Sequence, residues 1–584
     1  MPETPLRDVY DTVRIPLVQG MPRSPTPSSY NGTIDQCFIN CFPQSYSTPT
    51  GEKEYSIIKR QGIEKVTTVN LQSILGAGVN SACWANIPIT QLNDVYCAAI
   101  YDATNIKFVI VQYRPITGTA IKIGEITATN AFDQCFLTEL SIANVATLGV
   151  VWNSSNGTTS KGYYATSAGG TFVAGTLTEI TDVDFPPKAG SPLPLVGPMV
   201  QMNGTTYVMT NTGEIHGSDL NSITSWNSLN VIQAISYPDQ GVGLVRYKSH
   251  VVAFGEDSIE FFSDVGNPAP ASPLVRQEQA FIKFGAVHAK AICSVDDTIY
   301  WLARSSTGAF GLWKLDGYTP SKLSGPAEDE IIDYGSVNTS LYGLQQLSCI
   351  SIFGQKQIII GGCKFRAGLL YSNDDIPGSS DPHSLVDNDG EGTLVYNIPE
   401  QQWWGWKMDG SFGTTSTFPV STSQFQLNNS GAAVQYMIMT STGSAADQGA
   451  YIFTYGVDSY YWTDTNGAGT KVFYPVVLQL NRWTNNNERR KRIHKFKAIM
   501  ETLYSDSHDA ETGAYLWFMW AKEAWVSNVA SGAKGRFVSV PNSFGRYYVT
   551  NLGAARQWSF GIATKNKMGM RIKQLEFDVS QGSQ

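Results

Sequence analysis

The densest charge in the chain is the run Arg489-Arg490-Lys491-Arg492-Ile493-His494-Lys495-Phe496-Lys497. It is the one stretch whose residue types could hold phosphate or an acidic protein face. The plainer alternative is a strand whose cations face solvent and block edge-to-edge pairing. Arg489, Arg490, Lys491, Arg492, Lys495 and Lys497 are therefore a candidate docking patch. The opposite charge gathers in residues 366–392, RAGLLYSNDDIPGSSDPHSLVDNDGEG, where Asp374, Asp375, Asp381, Asp387, Asp389 and Glu391 stand against Arg366. DNDGEG has a faint likeness to a calcium loop, but the alternate-residue ligand spacing is incomplete, which favours a solvated acidic loop.

Hydrolytic chemistry on sugars needs two carboxylates about 5–9 Å apart. The only close acidic groups inside the repeating part of the chain are Asp296-Asp297 and Glu328-Asp329-Glu330. Both fall where turns are expected, so solvated turn residues are the favoured reading. Trp403-Trp404-Gly405-Trp406 could stack sugars, but in a hairpin-rich chain such a cluster belongs more often to a core. No phosphate loop, no zinc-protease motif and no nucleophile elbow is present. The six histidines are scattered. The eight cysteines form no C-x-x-C, and Cys37 and Cys41 lack a second pair to complete a zinc site. We therefore expect buried free thiols, no metal, no cofactor and no catalytic residues.

The elements that would carry these residues are strands. Only 15% of residues are charged, 54 are Gly, and Tyr, Phe and Trp together make up 12%. Residues 241–334 show the pattern most clearly. Leu244–Tyr247, Val251–Phe254 and Ile259–Phe262 are separated by the turns Lys248-Ser249 and Gly255–Ser258. A second meander follows in Ala291–Ser294, Ile299–Ala303 and Phe310–Leu315. Runs of four to six β-branched and aromatic residues bounded by Gly, Asp and Ser are hairpin signals. The same beat appears at Val95–Tyr101 with Ile106–Tyr113, at Ala146–Trp152 with Gly162–Thr166, and at Met199–Met202 with Thr206–Thr210 across Asn203-Gly204. Meanders repeating at this spacing predict a β-propeller, and we expect six blades.

The length implies two or three domains. Residues 1–63 are expected to form an extended N-terminal arm and docking segment. Residues 64–470 should form the β-propeller-like body, with 366–392 inserted, and 471–584 a β-sandwich-like domain. Residues 471–584 hold 17 Lys+Arg and 8 Asp+Glu, a balance of +9; the whole chain is −8, which leaves −17 on 1–470. An acidic body beside a basic C-terminal part points to electrostatic docking between neighbours. No secretory signal or membrane span is visible.

Three stretches, in order, resemble the packaged-DNA stabilisation proteins that form the tail nozzle, or hub, of short-tailed bacteriophages. The first has Asn40, Phe42, Pro43 and then Lys59-Arg60-Gln61-Gly62-Ile63, with Gln61 where the family commonly has Pro. The second is VVAFGEDSIEFFSDVG followed by QEQAFIKFGAVHAKAICSVDDTIYWLA. The third comprises Arg492-Ile493, Gly545-Arg546, Leu552-Gly553, Arg556, Trp558 and Phe560. The resemblance implies a non-enzymatic homo-hexameric ring in the virion tail, made in the host bacterial cytoplasm. Its implied partners are a tail adaptor ring, a needle or plug, tail fibre or tailspike proteins, and double-stranded DNA passing without sequence-specific contact. The acidic loop would then be a candidate channel exit. The alternative from the residues is a propeller that binds or cleaves host surface polysaccharide.

Overall fold

Most strands of this chain carry apolar residues on both faces, and that decides the architecture. The computed structural model describes residues 11–15, 17, 37–47, 49, 51, 53–66, 69, 71–76, 81–155, 157, 159–186, 194–267, 271–304, 310–326, 328–329, 331–333, 346–365, 390–406, 420–421, 426–427, 433–439, 449–453, 464–465, 471–472, 476–480, 490–503, 515–522, 534–539, 545–556, 558–564 and 569–581. Side chains on a strand alternate between faces, and in the middle strands neighbouring residues serve different cores. Val150 packs with the preceding blade and Val151 with the next. Val251 and Val252 divide likewise, as do Trp301 and Tyr300 and Ile358 and Ile359. A sheet of this kind must be covered on both sides.

The solution is a ring of seven antiparallel blades. Blade one holds Ser81–Pro88, Tyr96–Asp102, Lys107–Arg114 and Thr119–Thr127; blade two holds Gln134–Ile142, Val145–Asn153, Ser160–Thr166 and Thr178–Glu179. Blade three runs through Leu195–Met202, Thr205–Thr210, Glu214–Ser218 and Trp226–Gln233; blade four through Gly241–Tyr247, His250–Gly255, Ile259–Asp264 and Leu274–Ile282. Blade five is built on Ile292–Val295, Thr298–Arg304, Gly311–Asp316 and Thr319–Lys322; blade six on Gln346–Ile352, Gln355–Phe365, Gly390–Asn397 and Gln402–Trp406. Seven hydrophobic clusters fill the seven interfaces, and the last joins Tyr436, Ile438 and Ala450 back to Val109 and Val111 of blade one.

Six blades were expected, and the described residues form seven. The extra blade is made of Val420–Ser421, Met437–Met439 and Gly449–Phe453, closed by Ile63–Lys65 from the N-terminal side. Its strands have two to five residues, too short for a pattern, and its outer strand lies far away in sequence. The expected hairpins form where their turn residues required. Asn203 and Gly204 both have positive φ, at 50° and 85°, as do Asp296 and Asp297, at 45° and 57°. That is the backbone a tight two-residue hairpin needs.

Outside the ring lies the expected C-terminal β-sandwich, but its strands also come from the N-terminal segment. One sheet has the order Cys41–Ser47, Lys53–Lys59, Gly569–Gln581, Lys491–Leu503, Gly545–Ala555, with Asp11–Ile15 also paired to Gly569–Gln581. The other sheet is an extension of blade six. Cys37–Ile39 lies parallel to Gln402–Trp406, and Val476–Gln479, Trp558–Thr564, Tyr515–Lys522 and Lys534–Ser539 follow. The segment 1–63, expected as an arm and docking piece, thus supplies several ladder strands. Its apolar residues Ile15, Phe38, Phe42, Ile57 and Ile58 are buried in the sandwich core, which is what a merely laid-on arm could not achieve. Leu516–Trp520 is covered on both faces.

Asn40 is the point where the chain passes from one sheet to the other. Its φ of 55° is a conformation Asn tolerates. Its N–H donates to the Gly405 carbonyl at 2.8 Å, and its side-chain oxygen accepts from Arg60 Nε at 2.9 Å. Arg60 lies buried with its guanidinium 5.1 Å from the Trp406 ring. Phe42, fully buried, stacks on Trp404 with ring centroids 5.4 Å apart. We expect Phe42→Ala to lower the stability of the sandwich–blade-six unit by about 3–5 kcal/mol, seen as an earlier first transition in urea unfolding followed by tryptophan fluorescence.

Candidate functional site

The basic run was expected as a docking patch, or as a strand whose cations face solvent. The strand forms, as Lys491–Leu503, but in the middle of its sheet, between Gly545–Ala555 and Gly569–Gln581. A central strand has one face in the core, so its cations divide. Lys491 is buried, with Nζ 3.5 Å from the Arg556 carbonyl. Lys497 is spent inside the sheet, 2.5 Å from Asp578 Oδ1 and 3.9 Å from Glu576 Oε2. Lys495 lies 5.4 Å from the ring of Tyr548. Arg490 and Arg492 are exposed, and Arg489 lies outside the described residues. The six-residue docking patch is therefore corrected: Lys491 and Lys497 do not belong to it.

Of the acidic loop, Asp374, Asp375, Asp381, Asp387 and Asp389 lie outside the described residues. Glu391 does not belong to a loop: it sits on the strand Gly390–Asn397, opposite Lys364 in the blade-six ladder. The insertion therefore leaves and re-enters the ring between the two middle strands of blade six.

The acidic groups considered for catalysis do not converge. Asp296 and Asp297 form an exposed hairpin turn, and Asp296 pairs with Lys356 at 2.5 Å. Glu328 is buried rather than solvated, and Gly325 N–H donates to its carboxylate at 2.8 Å; burial pushes its carboxyl above the usual range. Other buried or half-buried carboxylates likewise hold backbone. Asp94 accepts from the N–H groups of Ile116 and Thr117, and Asp133 accepts from those of Thr129 and Ser155. Glu260 binds Ser236 N–H at 2.7 Å and Arg276 at 2.7 Å. Glu400 ties blade six to the sandwich through Ser45, at 2.6 Å from its hydroxyl, and Lys53, at 3.1 Å. Trp403, Trp404 and Trp406 are all buried, so they offer no stacking platform. Among the described residues there is no cluster that could hold a metal ion, the seven cysteines with described side chains are buried and unbridged, and no helix is long and apolar enough to cross a membrane.

The group that sequence reasoning missed stands at the centre of the ring. The innermost strands surround an axis, and the short helical turn Ala289–Ala291 lies across it, packed on the inner strands of blades three, four and six. Lys290, from blade five, reaches over to blade one, where its Nζ is 3.0 Å from the centroid of Trp84. Gln346 of blade six donates to the Trp84 carbonyl at 3.2 Å. Room for the turn comes from glycine: a Cβ on Gly243 would stand 3.2 Å from that of Ala289, and one on Gly197 would be 2.8 Å from the Gly243 backbone. The inner strands bulge here, around Trp84, Gly197 and Gly243. Burial holds the Lys290 amine well below its ordinary value and lowers the half-buried His288 to about 3. In the sequence the turn is only GAVHAKA, and nothing in that string says that it crosses an axis.

Residues 193–360 match the family model Phage_stabilise, described as "Bacteriophage P22 Gp10, beta-propeller". The matched segment spans blades three, four and five and enters blade six. No curated protein matches the chain. Among solved structures, "YCF48 bound to D1 peptide" shares 10% identity over 65% of this chain and 95% of its own, with a TM-score of 0.33. BamB from Moraxella catarrhalis shares 13% over 68% and 94%, at 0.28. An exo-beta-1,3-galactanase from Phanerochaete chrysosporium shares 8% over 86% and 95%, at 0.24. At such scores nothing of what those proteins do transfers to this chain.

Lys290 and His288 bind protons less readily in the fold than in the unfolded chain. Below their ordinary values the unfolded state therefore holds more protons, and stability rises with pH. For Lys290 that rise extends upward to its ordinary value of 10.5. Lys290→Met keeps the stem that packs on Trp84 and removes the amine. It should raise the thermal midpoint at neutral pH and flatten the climb between about pH 7 and 10, where a single group contributes up to about 1.4 kcal/mol per pH unit. Differential scanning calorimetry across that range checks it, and an unchanged slope would show that the amine keeps its proton in the fold.

Proposed function

We propose that this chain is a structural, non-enzymatic component of a short-tailed phage tail. It would be a nozzle assembled as a six-fold ring below the adaptor, retaining packaged double-stranded DNA and forming its exit at infection. The observation that carries this reading is the match of residues 193–360 to the phage stabilisation propeller, which falls on four consecutive blades of one closed ring. The axis supports it too. The turn at Ala289–Ala291 and Lys290 stand across the centre of the propeller. A conduit would then be walled by several copies, not bored through one.

The charge balance suits such a wall. The −17 of residues 1–470 repels phosphate and so opposes sticking. The acidic insertion of blade six is the segment we assign to the channel exit. The mechanism is geometric: neighbouring bodies fix a lumen, and the adaptor ring above, the needle or plug below and the tail fibres or tailspikes outside complete it. The sugar-cleaving alternative finds no support in the side chains described, because the tryptophans are core and the carboxylates hold backbone.

Cryo-electron microscopy of the virion tail tests the proposal. We expect six copies around the axis, with residues 366–389 nearest the lumen. A different copy number, or density for this chain on the fibres alone, would overturn it. Purified protein should release no sugar from host polysaccharide. Hydrolysis that is abolished in Asp296→Asn or Glu328→Gln would reverse the non-enzymatic reading.

A further inference from the structure

Part of the surplus positive charge of the sandwich gathers at one end. The acids of the outer face are committed elsewhere: Asp578 and Glu576 to Lys497, Glu501 to Lys573 at 2.9 Å, and Glu54 to Arg14 at 3.1 Å. At the opposite end the fold brings together cations that are remote in sequence. Arg492 is paired across the ladder with Ala554, and Lys491 with Ala555, directly before Arg556. Lys522 comes from the other sheet, opposite Trp558, and its amine lies beside Gly553 and 5.4 Å from the Trp558 ring. Gly553 has a φ of 94°, and any side chain there would collide with the Lys522 amine. The ladder partners of Arg492 and Lys491, Ala554 and Ala555, are small. Arg490, Arg492, Lys522 and Arg556 are all exposed, and among the described residues Arg490, Arg492 and Lys522 form no ion pair.

We infer that this basic end, with Arg490, Arg492, Lys522 and Arg556 at its centre, is a docking surface for the acidic propeller of a second copy of this chain. Charge complementarity carries the choice of partner. Residues 1–470 bear −17, and on blades four and five Glu256, Glu278, Asp297 and Asp316 are exposed with no ion pair among the described residues. Every copy carries both surfaces, so the contact is head-to-tail and closes into a ring when the rotation allows. Such pairs set assembly rate and register more than affinity. A nucleic-acid role for the same end is disfavoured because a body of net −17 would repel the duplex it approached. The inference rests on the ring reading for its biological setting, but the contact itself is tested without it.

The test compares the full-length chain with the variant Arg490→Gln/Arg492→Gln/Lys522→Gln and with Lys497→Gln, which removes an internal pair. Sedimentation velocity is run at about 50 mM and about 500 mM salt, where screening lengths differ roughly threefold. Zero-length carbodiimide coupling is applied to an equal mixture of isotopically light and heavy chains. We expect the parent chain to self-associate at low salt and dissociate at high salt. Mixed-isotope crosslinks should join Lys522 to carboxylates in residues 64–470. The triple variant should lose at least tenfold in association with an unchanged thermal midpoint. Lys497→Gln should lower the midpoint and leave association alone. The inference is overturned by an unaltered association of the triple variant, by a parent chain that stays monomeric, or by crosslinks confined to single chains. It is also overturned if fluorescence anisotropy finds duplex DNA bound by the parent and not by the triple variant. A six-fold tail ring whose contacts leave these residues exposed would defeat this inference while sparing the ring reading.

Discussion

Everything in this structure depends on strands that are apolar on both faces. A blade with Val150 pointing one way and Val151 the other cannot end the stack, because burying such a side chain is worth about 1.5–3 kcal/mol and leaving it exposed forfeits that. Each blade therefore demands another, and the demand is met only when the last packs on the first. The seventh interface, where Tyr436 meets Tyr96 with ring centroids 4.9 Å apart, is that closure. Its blade is completed by one strand from the N-terminal side, Ile63–Lys65, so the ring itself holds residues 63–65 against 451–453.

The sandwich follows from the same economy of edges. Blade six ends in Gln402–Trp406, whose outer edge would otherwise present unpaired backbone. Cys37–Ile39 takes that edge, and the sheet continues into the second domain. The joint is polar as well as apolar. Arg60 is held by Asn40 above Trp406, Phe42 stacks on Trp404, and Glu400 gathers Ser45 and Lys53. The body and the sandwich thus share one sheet and one core.

Several of the described carboxylates serve loops. Asp94, Asp133, Glu260 and Glu400 each satisfy backbone N–H groups that would be costly to leave unpaired. A carboxylate so engaged is a fastener. The same holds at the axis, where a propeller could keep a ligand site and this one places Lys290 against Trp84.

What the sequence by itself determined is local. Turn chemistry at Asn203-Gly204 and Asp296-Asp297, and the apolar runs beside them, set the hairpins of blades one to six, because strand and turn signals act over a few residues. The resemblance to phage stabilisation proteins was readable in the stretch around 241–334, and the family match falls across it. The tertiary structure decided what depends on partners distant in the chain. It set the number of blades, since the seventh combines two-residue strands with an N-terminal one. It set the fate of the basic run, since a central strand sends Lys491 inward and spends Lys497 on Asp578, while Arg490 and Arg492 stay exposed. It also placed Lys290 on the axis. Composition fixes how much charge a chain carries, but which charges face water is settled by pairing between strands that the sequence keeps far apart.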